Sequence, residues 1–217
     1  MICFMKTDDL IDLLAADTLP VPPHAAARRL ASGLALAVPV SLSMMVWMLG
    51  VNPLLSSYLL LPIFWLKFGG PVLMALAGLG LVARLGRPGM ATQRVWFLWG
   101  VPVLSMWAVA GWVLLRAPGG FDGQLVLGRT WRVCAENILV LSLPAFLAGI
   151  WVLRGLAPVR LGLAGAGAGA LGGAVGAAVY ALHCPELAAP FIAVWYVLGV
   201  LFSVLGGYLV GPRLLRW

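Results

Sequence analysis

The sequence predicts an all-α, polytopic integral membrane protein with six transmembrane helices and a short amphipathic helix ahead of them. Of its 217 residues, 63% are hydrophobic and only 10% are charged, with a mean hydropathy of +1.04, which is typical of membrane proteins. Long charge-free stretches recur along the chain, and each approaches the roughly 20 apolar residues that a span needs. Four of the seven acidic residues lie in the first 17 positions. We therefore expect an N-terminal helix and Pro-rich spacer in residues 1–28 and a transmembrane domain in residues 29–217.

The acidic segment at the N-terminus predicts a short amphipathic helix over residues 6–17. Thr7 is a suitable N-cap for it. The apolar arc would comprise Leu10, Ile11, Leu13 and Leu14, and the opposite face would carry Asp8, Asp9 and Asp12. A helix this short is marginal alone in water, and membrane-surface helices normally carry Lys and Arg rather than Asp. We therefore expect it to bind a basic groove on a protein partner, the alternative being that it packs against the chain's own spans.

Charge-free stretches place the six spans at about residues 30–50, 65–83, 95–115, 136–154, 161–182 and 186–213. Lys67 would lie at the mouth of the second span and extend its ammonium to the outer interface, which would leave the membrane interior free of ionisable side chains. In the fifth span, Gly165, Gly169 and Gly173 repeat at every fourth position, a pattern that lets helix backbones approach closely in lipid. Close packing within the bundle is the favoured interpretation, and homodimerisation or a sliding span are the alternatives.

Basic residues predict that both termini are cytoplasmic. Ten of the 14 Lys and Arg residues fall at the N-terminus, in the even-numbered loops or at the C-terminus, and cytoplasmic loops of membrane proteins are enriched in these residues. The net charge of +7 therefore reflects membrane orientation, and nucleic-acid binding is disfavoured.

Two cysteines are the candidate reactive groups. Cys134 and Cys184 would lie at the same, outer membrane surface, which is oxidising if it is periplasmic. His183 and Glu186 flank Cys184, so the four side chains could also form a site for a soft metal ion. Cys134 would precede the fourth helix, whose positive dipole end favours a thiolate, and would therefore react first. The alternative is a permanent disulfide that braces the bundle.

A resemblance to a known family rests on four segments: 6–14 (KTDDLIDLL), 130–134 (TWRVC) with Asn137, 183–186 (HCPE) and 193–199 (AVWYVLG). Together these segments resemble the NrsF family of bacterial inner-membrane negative regulators of sigma factor F. The resemblance implies an anti-sigma factor that holds an extracytoplasmic-function sigma factor at the membrane and senses oxidative or heavy-metal stress through two periplasmic cysteines. The family does not suggest residues 1–4, so Met5 is an expected alternative start.

The sequence as a whole therefore predicts a regulator rather than an enzyme, with no cofactor beyond a transient soft metal ion at the cysteines. Its partners would be a sigma factor and the lipid bilayer, and its oligomeric state stays open. The sigma-binding residues would be Lys6, Thr7, Asp8, Asp9, Leu10, Ile11, Asp12, Leu13, Leu14 and Asp17. Two alternatives remain: a membrane thiol–disulfide oxidoreductase, which the absence of a C-x-x-C motif disfavours, and a metal-ion permease.

Overall fold

The computed structural model describes residues 7–16, 25–117 and 123–216 of the chain, and within these ranges every regular element is helical. In chain order the helices are α1 (Thr7–Ala16), α2 (Ala25–Met48), α3 (Leu55–Tyr58), α4 (Pro62–Leu85), α5 (Gln93–Arg116), α6 (Gly123–Leu127), α7 (Trp131–Arg154), α8 (Leu161–Tyr180), α9 (Ala189–Phe191) and α10 (Val197–Leu214). A π-helical turn, Ile192–Tyr196, joins α9 to α10.

Six of these helical segments are long and apolar enough to cross a membrane, which confirms the predicted number within the described residues. They are built on α2, α4, α5, α7, α8 and α9–α10. Four of them, α2, α4, α5 and α7, begin two to five residues before the predicted start, because the predicted bounds followed charge-free runs, whereas a spanning helix can include charged residues in its terminal turns. Cys134 is consequently the fourth residue of α7. The prediction that it precedes this helix is wrong.

Chain connectivity gives the bundle two ends. The loops 49–61, 117–130 and 181–188 lie at one end, here called the distal end. The start of α2, the loops 86–92 and 155–160 and the end of α10 lie at the other, here called the N-terminal end. The two predicted groups of functional residues, the acidic helix and the cysteines, therefore belong to opposite ends of the bundle.

Helix α8 is the centre of the bundle. Every residue from Ala164 to Tyr180 is buried, and α8 packs against α10, α7 and α4. A β-carbon on Gly165 or Gly169 would meet the backbone of α10, and one on Gly176 would lie 2.6 Å from the carbonyl oxygen of Ile138 in α7. Helices in lipid associate through such close backbone packing, because the surrounding tails are as apolar as the helices themselves. The glycine faces are thus occupied within the chain, as the favoured interpretation of the pattern predicted.

Serine hydroxyls add polar links between the spans. Ser41 of α2 donates to the carbonyl oxygen of Leu141 in α7 at 3.0 Å. Ser203 of α10 donates to the hydroxyl oxygen of Ser142 in α7 at 3.1 Å. Interhelical hydrogen bonds of this kind contribute about 0.6 kcal/mol each in membrane proteins, so they fix the helix register more than they stabilise the fold.

The described side chains of the short helix α1 are exposed. Asp8, Asp9 and Asp12 are exposed, and the apolar side chains of Ile11 and Leu13 are 56% and 65% exposed. The spans do not cover these residues, so α1 is undocked in this structure, and packing against the chain's own spans stays an alternative. The predicted binding residues Lys6 and Asp17, the Pro-rich spacer and the side chains of Leu10 and Leu14 lie outside the described residues.

Candidate functional site: a thiol–lysine cluster at the distal end

The structure brings Cys134 and Cys184 into one buried cluster at the distal end. Both are fully buried, and both are free thiols rather than a disulfide. Their backbone N–H groups are held by local structure: Cys134 donates to Thr130 at 3.1 Å, and Cys184 donates to Tyr180 at 3.0 Å. The two side chains lie close enough to interact electrostatically with each other. The structure therefore brings together two cysteines that lie 50 positions apart in sequence and were expected at the same surface, and the alternative of a bracing disulfide is not formed.

Lys67 is the residue of this site whose role the sequence analysis missed. It lies in the second turn of α4 and has no exposed surface, so the prediction that it reaches the outer interface is wrong. Its Nζ donates to the backbone carbonyl oxygens of Cys184 at 2.5 Å and of Glu186 at 2.9 Å. It also lies 5.8 Å from the centre of the Tyr196 ring, a distance at which a ring face attracts a cation.

The reason for this burial is found in the loop that Lys67 contacts. The segment 181–188 follows the end of α8 and contains Pro185, so it has no helix to pair its carbonyl groups. A buried carbonyl without a donor costs about 1–3 kcal/mol. An ammonium group has three donors and no acceptor, which suits a site that offers several carbonyl oxygens. Burying Lys67 thus satisfies the loop, and it shows that the membrane domain does contain an internal ionisable side chain.

Two tyrosines complete the cluster. The rings of Tyr180 and Tyr196 are 5.9 Å apart, and the side chain of Tyr180 interacts with the Cys134 thiol. Tyr196 ends the π-helical turn, an irregularity frequent at functional sites. Its hydroxyl is buried without a hydrogen-bond partner among the described residues, although the Cys184 thiol lies close enough to interact with it electrostatically. The segment 193–199 contains Tyr196 and was the available sequence signal, but a tyrosine in an apolar span is indistinguishable from a packing residue.

His183 and Glu186 do not join the thiols as metal ligands. The Nδ1 atom of His183 is 2.9 Å from the carbonyl oxygen of Gly50, and a carboxylate oxygen of Glu186 accepts from the backbone N–H of Arg129 at 2.7 Å. Among the residues that the structure describes, no group of three or more His, Cys, Asp and Glu side chains could hold a metal ion. The four-ligand site is therefore not formed, because both flanking side chains fasten neighbouring loops. The thiol pair is what remains as a soft donor set.

The distal loops are thus tied together around the thiols. Besides the contacts of Lys67 and Glu186, the hydroxyl of Tyr58 donates to the carbonyl oxygen of Pro185 at 3.3 Å, and the N–H of Asn52 donates to that of Leu182 at 3.2 Å. A disulfide or a metal ion bridging Cys134 and Cys184 would change the position of the segment 181–188. Such a change would be transmitted to α4 through Lys67 and to α7 through Cys134.

Six apolar spans with the glycine-rich α8 at their centre indicate a multi-pass membrane protein, which carries a thiol cluster at one end of the bundle and an acidic helix joined to the other. Comparison with known proteins gives the family. The model of the NrsF family, "Negative regulator of sigma F", matches residues 14–217. The chain belongs to this family.

Two curated relatives each cover 98% of this chain and are themselves covered completely. The "Probable anti-sigma-F factor NrsF" of Azospira oryzae is 44% identical over 213 residues. The "Anti-sigma-F factor NrsF" of Caulobacter vibrioides is 44% identical over 222 residues. No solved structure shows significant similarity to this chain. These findings confirm the resemblance on which the sequence interpretation was based.

Proposed function

We propose that this protein is an anti-sigma factor that binds an extracytoplasmic-function sigma factor through α1 and holds it at the bacterial inner membrane. Both termini would be cytoplasmic, and oxidative or heavy-metal stress sensed at Cys134 and Cys184 would release the sigma factor. The observation that carries the proposal is membership of a family of negative regulators of sigma F, whose relatives are named anti-sigma-F factors. Those names describe regulators, so we propose no catalytic activity.

The chemistry of α1 supports its role as the binding element. Three exposed aspartates and the exposed Ile11 and Leu13 side chains lie on a ten-residue helix that is too short to be stable alone. Amphipathic helices of this kind bind partners by placing their apolar face in a hydrophobic groove. The aspartates would steer the encounter with basic residues of the sigma factor and fix the register of the helix.

The buried thiols support a sensing role. They lie in the distal cluster rather than on the surface, and their neighbours include a backbone-bound lysine and two tyrosines. A bond or metal ion joining them would shift the packing of α4, α7 and α8, and these helices run to the N-terminal end. The sensing site and the sigma-binding helix would thus be connected through rigid spans.

The test is to isolate the tagged protein from its native membrane and to identify the proteins that co-purify with it by mass spectrometry. We expect a sigma factor to be recovered. Ile11→Asp and Leu13→Asp should abolish its recovery, because each places a charge in an apolar groove at a cost of several kcal/mol, about that of an unpaired buried charge.

The matched control is Ala16→Asp, which adds the same charge on the aspartate face of α1, outside the predicted sigma-binding residues, and should retain the sigma factor. Recovery of a quinone or of a thiol-exchange partner instead of a sigma factor would contradict the proposal and favour the membrane oxidoreductase.

A further inference from the structure

A basic cavity lies at the N-terminal end of the bundle, on the side from which α1 extends. Its volume is about 450 Å³, and it is formed by the end of α4, the loop 86–92, the loop 155–160 and the start of α8. Arg84, Arg87 and Arg160 line it. The lining also includes the polar Thr92 and Gln93 and several apolar side chains, among them Met90, Val159 and Leu163.

The cavity and α1 have complementary chemistry. The helix has one face of aspartates and one apolar arc, while the cavity combines arginines with apolar side chains of which Met90 is 46% and Val159 is 73% exposed. A phospholipid offers a phosphate for the arginines and acyl chains for the apolar side chains, but α1 has the additional advantage of being linked to the bundle by the chain itself. An amphipathic acidic helix would cover both kinds of side chain.

The chain can bring the two together. Eight residues, 17–24, connect α1 to α2, and a segment of this length extends to about 30 Å at most. The start of α2 is anchored beside the cavity, because the Arg29 guanidinium packs directly against Gly155, the first residue of the loop that contributes Val159 and Arg160. The connecting segment is therefore long enough for α1 to reach the cavity of its own molecule without movement of the spans.

We propose that this cavity is a docking site for α1 of the same chain, and that docking there competes with binding of the sigma factor. The competition with the sigma factor rests on the proposed function, whereas the docking of α1 involves no partner. Exposed ion pairs are individually weak, so the docked state is reversible. The apparent affinity of α1 for a partner is then the intrinsic affinity multiplied by the fraction of molecules in which α1 is undocked.

The cavity also links docking to the thiol cluster. Its walls include the C-terminus of α4 and the start of α8, while the opposite ends of these two helices carry Lys67 and lead into Cys184. These two helices are in close contact midway, where a β-carbon on Gly78 would lie 2.9 Å from the backbone of Leu171. A change in α4–α8 packing caused at the thiols would therefore alter the shape of the docking site.

Docking is tested by cross-linking within the full chain in phosphatidylcholine nanodiscs. Native cysteines are replaced by serine, and Ala16→Cys in α1 is combined with Met90→Cys at the cavity, followed by a short bismaleimide. We expect an intramolecular cross-link that is lost in the pair Arg87→Glu and Arg160→Glu. The matched control is Arg94→Glu, an exposed arginine of α5 that does not line the cavity, and it should retain the cross-link.

Charge exchange gives the second arm. Replacing Asp8, Asp9 and Asp12 by arginine in the Arg87→Glu and Arg160→Glu background should restore the cross-link. A cross-link that ignores the cavity charges, or that forms only between molecules, would overturn the proposal. The proposal would also be overturned if the purified protein retained phosphatidylglycerol and no cross-link formed in nanodiscs of either phosphatidylcholine or phosphatidylglycerol. The cavity would then be a lipid-binding site.

Competition is tested with the recovered sigma factor. The pair Arg87→Glu and Arg160→Glu should bind it about 2- to 10-fold more tightly than the unmodified chain, because the docked state no longer withholds α1. Unchanged or weaker binding would show that docking does not compete. If the unmodified chain binds no sigma factor at all, the proposed function fails, while the cross-linking result still decides whether α1 docks.

Discussion

Lys67 shows how much of the distal end depends on one side chain. Its ammonium holds two carbonyl groups of a loop that cannot form a helix, and its contact with the Tyr196 ring ties the same group to the π-helical turn. Intramembrane ionisable residues are expensive and mark functional sites by default. Here the charge lies against the thiols rather than along a path through the membrane, which argues against the permease alternative.

Removing this charge should loosen the loop while leaving the spans assembled. Lys67→Met keeps the length of the side chain but leaves the carbonyls of Cys184 and Glu186 without a donor. Hydrogen bonds to charged groups are worth roughly 1.5–3 kcal/mol, so amide exchange in residues 181–188 should accelerate by about tenfold or more. Hydrogen exchange with mass spectrometry measures this.

Tyr58→Phe is the control for the lysine variant, because it removes one longer and more exposed hydrogen bond to the same loop. It should change the exchange of this loop little. Equal acceleration in both variants would mean that the loop is held by its contacts in general and that Lys67 has no special part.

The thiols give the second prediction at this scale. Cys134→Ser and Cys184→Ser should each leave a stable protein that still represses the regulon, the set of genes that the sigma factor transcribes. Each variant should lose induction by oxidants and soft metals, because serine forms neither a disulfide nor a soft-metal bond. Immunoblotting and a transcriptional reporter measure the two properties. A degraded protein with a permanently active regulon would show instead that the cysteines serve packing.

At the scale of the element, α8 provides the clearest test of how the bundle is built. Gly206 and Gly207 are neighbours in α10, yet a β-carbon on Gly207 would meet the backbone of Gly165 in α8, whereas one on Gly206 would meet nothing within 4 Å. Gly207→Ala should therefore destabilise the protein by about 1–3 kcal/mol through overpacking. Gly206→Ala should be neutral or slightly stabilising, because alanine favours the helix by about 0.5–1 kcal/mol. Thermal unfolding in detergent distinguishes the two, and equal melting temperatures would contradict the packing described here.

The spans could be predicted from the sequence because each requirement on them is local. A run without charges, bounded by Arg or Pro, is enough to place α5 or α8 within a few residues. The glycine spacing of α8 predicted close packing for the same reason. The position of Lys67 was not predictable in this way, since its burial depends on carbonyl groups that lie 117 and 119 positions away in the chain. The turn that carries Tyr196 also depends on a partner distant in the chain, since Trp195 donates at 2.9 Å to the carbonyl of Val126, 69 positions away.

The whole molecule is predicted to have both ends of the chain on the cytoplasmic side. Ser57→Cys lies in the exposed part of a distal loop, and Met90→Cys lies in an exposed loop at the N-terminal end. A membrane-impermeant maleimide applied to intact spheroplasts should label the first and should label the second only after permeabilisation. The native Cys134 and Cys184 should react slowly in either case because they are buried. The reverse pattern would invert the topology and with it the proposed place of sigma binding.

The burial of α8 has a consequence for how the protein is made. This helix is the central one in the finished bundle and has the lowest mean hydropathy of the six spans, so during synthesis it is the segment least suited to remain in lipid by itself. The earlier spans α4 and α7 provide two of its packing faces before it emerges, and α10 covers the third after it. A nascent chain that stops before α10 would expose the glycine face of α8 to lipid. Assembly of the bundle would therefore be complete only once α10 has been synthesised.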